Sequence, residues 1–203
     1  MAQRLILVRH GDLGENCRGR YIGRTDAPLC TEGRRQAASL TEALGPLEGA
    51  RILSSPLLRT RETAEIALGN GRAFSIDEDL REIDFGRWEG MGFDQIAACD
   101  PGAVERWTAM EKDFAFPDGE GLQSFRERIG NVAGRMTADP ARTVVAFTHG
   151  GVIRVLICHF LGLDTRDFVR FDVQPASLSE FRIYGGEWDL FLLNSRYHLE
   201  GCS

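Results

Sequence analysis

An α/β/α arrangement, a mostly parallel sheet between two helical layers, is what this amino-acid sequence predicts, and three observations predict it. The apolar run Leu5-Ile6-Leu7-Val8 and the run from Thr143 to Thr148 have the length and continuity of strands buried on both faces. Segments of helical periodicity separate the strand-like runs, which is how parallel neighbours are connected. Near the end, Leu178 to Tyr184 and Trp188 to Leu193 flank Gly185-Gly186, a hairpin signal that adds an antiparallel edge.

The elements follow in order. After the first strand comes a polar, glycine-rich stretch from Gly11 to Thr31. A helix is expected from Glu32 to Leu44, with Thr31 as N-cap and Gly45-Pro46 as its stop. Arg51 to Ser54 reads as a short strand, and Ser55-Pro56 opens a helix through Arg59, Thr63 and Leu68 to Gly69. Ala73 to Ile76 has strand character, and Asp77 to Gly92 is a loop rich in acidic residues. Phe93 to Gly121 mixes short helical patterns with turns at Asp100-Pro101-Gly102 and Pro117-Asp118-Gly119. Residues 85–121 read as an insertion, whose aromatics Trp88, Phe93, Trp107, Phe114 and Phe116 either cap a site or simply pack the insertion. A helix from Leu122 to Met136 leads into the Thr143 strand, and another from Val152 to Leu163 follows it.

Bulk composition narrows the function. A chain of 203 residues with 43% apolar content suffices for one domain, expected to span 1–203. A net charge of −6 with a pI near 5.3 argues against nucleic acid or an anionic membrane as partner. Lys112 is the single lysine among the 24 basic residues; arginine is the better fork for phosphate oxygens, but a composition bias accounts for the excess more simply, so individual arginines count only by position. Cys17, Cys30, Cys99, Cys158 and Cys202 are scattered, without a Cys-x-x-Cys pair or a secretory leader, and the expected compartment is the cytoplasm. No apolar stretch approaches membrane-spanning length.

The chemistry gathers where strands end. Arg9-His10-Gly11 follows the first strand, His149-Gly150-Gly151 follows the Thr143 strand, and Arg59 follows Arg51 to Ser54. Ligands of open α/β sheets collect outside the carboxyl ends of the strands, so these side chains have a common meeting place. Arginine holds phosphoryl oxygens with a permanent charge in a bidentate geometry, the role expected of Arg9 and Arg59. A neutral imidazole is a competent nucleophile, and one histidine can accept the phosphoryl group while the other donates to it. The leaving alkoxide needs a proton, and a carboxylic acid next to a bound phosphate dianion keeps its own. Glu82 is the candidate donor, with Asp84 and Glu89 on the same loop as competitors. His159 is expected to pack in the core or on its helix face, and His198 to be exposed.

These residues are similar to those of the histidine phosphatase superfamily, the phosphoglycerate mutase-like proteins. The resemblance runs through Leu7-Val8-Arg9-His10-Gly11, Asn16, Gly23, Pro28-Leu29, Thr31-Glu32-Gly33, Ser54-Ser55-Pro56-Leu57-Leu58-Arg59-Thr60-Arg61-Glu62-Thr63-Ala64, Leu80-Arg81-Glu82-Ile83-Asp84-Phe85-Gly86 and Thr148-His149-Gly150-Gly151, in the family's order and over nearly the whole chain. It implies a phosphoglycerate mutase-like fold, with His10 as the phosphorylated nucleophile and Glu82 as proton donor. It also implies a phosphate pocket of Arg9, Arg59 and His149, with Asn16, Gly23, Arg24 and Gly150 as substrate-binding residues. No metal and no cofactor are implied. The stretch Gly19 to Leu29 looks most like the α-ribazole phosphatases, so α-ribazole 5′-phosphate is a candidate among small phosphate esters. Asp12, Leu13 and Gly119-Glu120-Gly121 depart from common family residues and bear on the substrate. A mutase-type phosphoryl transfer and a non-catalytic phosphate-binding module are the alternatives. A metal hydrolase using His10, His149 and Glu82 as ligands is disfavoured by the fixed cations Arg9 and Arg59. The sequence leaves dimerisation open.

Overall fold

In the computed structural model, which describes residues 1–69 and 71–200, six strands form one sheet. In chain order the elements are β1 (Arg4–Arg9), α1 (Thr31–Leu44), β2 (Arg51–Ser54), α2 (Leu58–Leu68), β3 (Ser75–Ile76), α3 (Phe93–Cys99), α4 (Pro101–Thr108), α5 (Leu122–Ala138), β4 (Thr143–Thr148), α6 (Gly150–Phe160), β5 (Leu178–Tyr184) and β6 (Glu187–Ser195). The spatial order is β3-β2-β4-β1-β5-β6, with the first four parallel and the β5–β6 hairpin antiparallel at one side. Gly185 and Gly186 both take positive φ, 61° and 96°, as a tight hairpin turn between right-twisted strands requires.

Strand alternation divides the core. Leu5 and Leu7 of β1 and Val144 and Ala146 of β4 pack with Ile129, Val132 and Ala133 of α5 and Val152, Ile153 and Leu156 of α6. Ile6, Val8, Val145 and Phe147 point to the opposite face, against Leu40 and Leu44 of α1 and Ala64 and Ala67 of α2. The helix after β1 therefore lies on one face and the helix after its neighbour β4 on the other. A crevice opens between the ends of these two strands, which makes this a topological switch point.

Three expected elements shift, and so does the burial of two histidines. The α1 helix begins at Thr31, and Cys30 is its N-cap, its sulfur accepting from the Gly33 amide at 3.3 Å. The strand expected at Ala73–Ile76 contracts to Ser75–Ile76, because only Ser75 and Ile76 find partners, at Leu53 and Ser54. The α6 helix runs from Gly150 to Phe160, two residues earlier than Val152 at its start and three short of Leu163. His159, expected to be packed, is exposed with its ring against Phe160, because it falls in the last turn of α6, past the buried residues that end at Cys158, and His198, expected to be exposed, is half-buried. The Cys202 position lies outside the described residues. Among those described, no helix is long and apolar enough to cross a membrane.

Candidate active site

The parallel register of β1 and β4 sets the floor of the site. Arg9 pairs with Thr148 at the last rung, so the next residue on each strand, His10 and His149, emerges at the same level. Their ring centroids are 5.3 Å apart and the rings nearly edge-on. β2 reaches Ser54 opposite Phe147, which brings Ser55 beside this pair and Arg59 down from the first turn of α2. A buried ladder thus converts three separated sequence segments into one cluster.

His10 has a defined tautomer. Its Nδ1 lies 2.8 Å from the Gly11 carbonyl, which can only accept, so Nδ1 carries the proton and Nε2 keeps its lone pair. Burial, reinforced by the charges of Arg59 and Arg9, holds the His10 pKa well below the ordinary histidine value, and the ring is neutral at pH 7. These features make a nitrogen nucleophile.

His149 is held at both nitrogens. Arg59 Nε donates to Nδ1 at 3.2 Å, which leaves the proton on Nε2, 2.8 Å from Ser55 Oγ. Burial and then Arg59 push the His149 pKa well down too. A hydrogen bond from this ring to a bound phosphoryl group would therefore be made by exchange with Ser55. Ser55, like Arg59 and His149, is fully buried. The Arg59 fork also donates to the Gly23 and Thr25 carbonyls, both at 2.7 Å, and two of its five N–H groups are left over.

Arg9 supplies an unmet donor. Its Nη1 donates to the Val173 carbonyl, while its buried Nε has no partner. Burial is the main cause lowering the Arg9 pKa to about 10, so the guanidinium stays charged at neutral pH. A Cβ on Gly150 would stand 3.4 Å from that Nε, in the space where an anion can approach it. Gly150 also opens α6, whose N-cap residue His149 makes no capping bond with its side chain and whose N-terminus carries the positive end of the helix dipole.

Glu82 is fixed from two sides. One carboxyl oxygen accepts from the Ile83 amide at 3.1 Å and the other from the Gly151 amide at 3.0 Å. A Cβ on Gly151 would come within 2.4 Å of Glu82 Oε1, so glycine at that position is what lets the carboxyl sit on the α6 N-terminus. The loop carrying Glu82 is anchored in turn. Thr148 Oγ1 donates to the Leu80 carbonyl at 2.8 Å, and Arg128 of α5 donates to the carbonyls of Asp79 at 2.6 Å and Arg81 at 2.9 Å. Arg128 belongs to no motif and was invisible in the sequence, since the two carbonyls it holds lie more than forty positions away; its pairing with the nearer Glu120 at 2.7 Å completes the brace.

Arg9, His10, Glu82, Gly150 and Gly151 line a cleft of about 890 Å³, walled further out by Phe85, Trp107, Phe116 and Phe168. Phe85, Trp107 and Phe116 come from the 85–121 segment, in which Trp88, Phe114 and Phe116 are buried and Phe93 is exposed. Other expected residues are placed differently. Asn16 is exposed in the 3-10 turn Glu15–Cys17, outside the cleft lining. Arg24 turns toward Asp84 and Glu120, at 4.0 and 3.9 Å. Gly23 contributes its carbonyl to Arg59 rather than a surface to the cleft. Glu89 accepts from the amides of Gly23 at 2.8 Å and Thr25 at 2.9 Å, and so braces the loop that holds Arg59. Asp84 accepts from the Gly86 amide at 2.9 Å. Among the described residues, no three of His, Cys, Asp and Glu gather into a metal-holding group.

Comparison with known proteins places the chain in a family. The histidine phosphatase superfamily (branch 1) profile matches residues 5–196. Phosphoserine phosphatase 1 of Hydrogenobacter thermophilus is 33% identical over 198 residues, covering 97% of this chain and 94% of that protein. The adenosylcobalamin/alpha-ribazole phosphatase of Salmonella typhimurium is 31% identical over 195 residues, covering 95% and 96%. The crystal structure of the alpha-ribazole phosphatase from Shigella flexneri superposes with a TM-score of 0.85 at 27% identity, covering 95% of this chain and 96% of that one.

Proposed function

Because the chain belongs to the histidine phosphatase superfamily, we propose that it hydrolyses small phosphate monoesters through a phosphohistidine formed on His10. The observation that carries this reading is the pairing of a neutral His10, with its lone pair on Nε2, and the unpartnered Nε of Arg9 in one cleft. One is a nucleophile and the other an anion receptor.

The steps follow from the geometry. The ester phosphate enters with its oxygens toward Arg9, the remaining N–H groups of Arg59 and the N-terminus of α6. His10 Nε2 attacks phosphorus in line with the ester oxygen. The P–N bond forms as the P–O bond breaks, and the leaving oxygen takes a proton from the Glu82 carboxyl. With the alcohol gone, a water molecule takes its place. Glu82, now ionised, removes a proton from that water as it attacks phosphorus, and the P–N bond breaks to return neutral His10 and inorganic phosphate. The Gly11 carbonyl holds the Nδ1 proton throughout and offsets the positive charge that develops on the ring. His149 and Ser55 brace Arg59 and the far side of the pocket.

The positive charge this transfer needs comes from fixed arginines, so the activity requires no divalent ion. The reading treats 1–203 as one cytoplasmic catalytic domain, with 85–121 as the aromatic wall of its cleft. The substrates named for the relatives differ, phosphoserine for one and α-ribazole phosphate for another. Inorganic phosphate release from both esters and from p-nitrophenyl phosphate, measured in excess chelator, tests the proposal. Release of phosphate from any of them supports it. Activity that vanishes in chelator and returns with one divalent ion, or conversion of 3-phosphoglycerate to its 2-isomer without phosphate release, overturns it.

A further inference from the structure

Three buried guanidinium nitrogens in the cleft lining have no partner: Arg9 Nε, Arg196 Nε and Arg126 Nη2. The first belongs to the phosphate pocket. Arg126 is on the second turn of α5, away from the strand ends, in a cleft that Leu122, Phe125, Trp107, Phe168 and Val169 also line. Among the described residues, Arg126 makes no hydrogen bond and no ion pair. The acidic side chain with most influence on it, Asp164, is already bound by Arg166 at 2.9 Å.

The acids that line the cleft are committed elsewhere. Asp12 accepts from the Gly14 amide at 2.6 Å, Glu82 accepts from two backbone amides, and Glu32 binds Arg35 at 2.8 Å and lies in the field of Arg196. Other arginines of the lining have partners within the protein: Arg154 donates to the Phe171 carbonyl at 2.8 Å and Arg20 to the Gly90 carbonyl at 2.8 Å. Arg126 is partly exposed, but its Nη2 is closed off from solvent, and a donor so placed is unfavourable unless an acceptor completes it. The planar guanidinium fork matches a carboxylate in particular.

We propose that Arg126 receives a carboxylate of the substrate, so that the preferred esters are those of phosphorylated carboxylic acids. This rests on the phosphatase reading above, since it assigns the far end of an ester whose phosphate sits on His10.

Matched esters separate the two claims. O-phosphoserine and phosphoethanolamine differ only by a carboxylate, and 3-phosphoglycerate and glycerol 3-phosphate differ by a carboxylate in place of a hydroxymethyl group. In the unaltered enzyme, kcat/KM should favour the acid of each pair by at least about tenfold. In Arg126→Met it should fall for the acids by roughly ten- to a hundredfold, chiefly through KM, the size of one charge-assisted hydrogen-bonded pair. The matched neutral esters should change by less than about threefold, so the preference collapses. Arg126→Lys should restore part of it, as a point charge without the fork. The phosphoenzyme burst with p-nitrophenyl phosphate reports the floor of the site independently. No acid preference in the unaltered enzyme, or equal losses on both members of a pair while the burst persists, overturns the assignment and leaves the phosphatase reading standing. If Arg126→Met loses the burst through misfolding, the same ratio in Arg126→Lys decides. An unaltered enzyme that neither releases phosphate from any of these esters nor forms a phosphoenzyme would overturn the phosphatase reading itself.

Discussion

The floor of the cleft and its outer wall are built by opposite means. On the floor, Arg59, His149 and Ser55 are fully buried, Glu82 is 8% exposed, and each is tied by hydrogen bonds to backbone or to one another. Their positions are inherited from the β1–β4 and β2–β4 registers, which cannot slip without turning every core side chain to the wrong face. The wall is contributed by α4, α5, the irregular chain between them, Phe85 before them and Phe168 beyond α6, and there Arg126 Nη2 stands without a partner. The difference separates two tasks. On the proposed reading a rigid floor would perform one transfer of phosphate, while side chains on the wall would choose what the phosphate is attached to.

If the floor governs rate, removing its proton donor should be costly in a substrate-dependent way. Glu82→Gln should lower phosphoenzyme formation from an alkyl phosphate by about a hundredfold or more, and clearly less from p-nitrophenyl phosphate, whose leaving group needs little protonation. Burst kinetics isolate this step from the later attack of water. Equal slowing with both substrates would remove Glu82 from the donor role and bring Asp84 and Glu89 back into question.

The rigidity of the floor has a pH signature. His10 and His149 are buried neutral, with pKa values held below the unfolded value of 6.5. Below that pH the unfolded chain binds protons that the native site excludes, so stability is full above about pH 6.5 and falls as pH drops through and below it. Each histidine contributes a slope of up to about 1.4 kcal/mol per pH unit. The half-buried His198, also lowered by burial, adds in the same direction. Denaturant titrations between pH 7 and pH 5 should show the decline, and His10→Gln should make it shallower. An unchanged slope in that variant would mean that His10 is charged in the native state.

The smallest effects are expected where the sequence expected binding and the structure turns the side chain away. Asn16→Ala and Arg24→Gln should change kcat/KM on p-nitrophenyl phosphate by no more than about threefold. A loss beyond tenfold for either would mean that the loop after β1 closes onto the substrate, and that the division between floor and wall is too sharp.

What the sequence made legible follows the same division. Strand ends, the two Gly-flanked histidines and Arg59 were readable because buried strands leave continuous apolar runs and the residues after them must meet. The Cys30 cap was not, since a sulfur acceptor is an uncommon cap and Thr31 beside it is a better-known one. Ser55 as the partner of His149, Arg128 as the brace of the Glu82 loop and the unpaired Arg126 were hidden for a different reason. Each is defined by a contact, or by the lack of one, between segments far apart in the chain, and no local pattern encodes it.

The central claim is the covalent phosphate on His10. Rapid acid-free quenching during turnover of p-nitrophenyl phosphate, followed by peptide mass spectrometry, should find one base-stable, acid-labile phosphate per chain, located on residue 10. His10→Ala should carry none and should lose turnover while keeping its fold. Phosphate recovered equally from His10→Ala, or full turnover of that variant, would contradict the account.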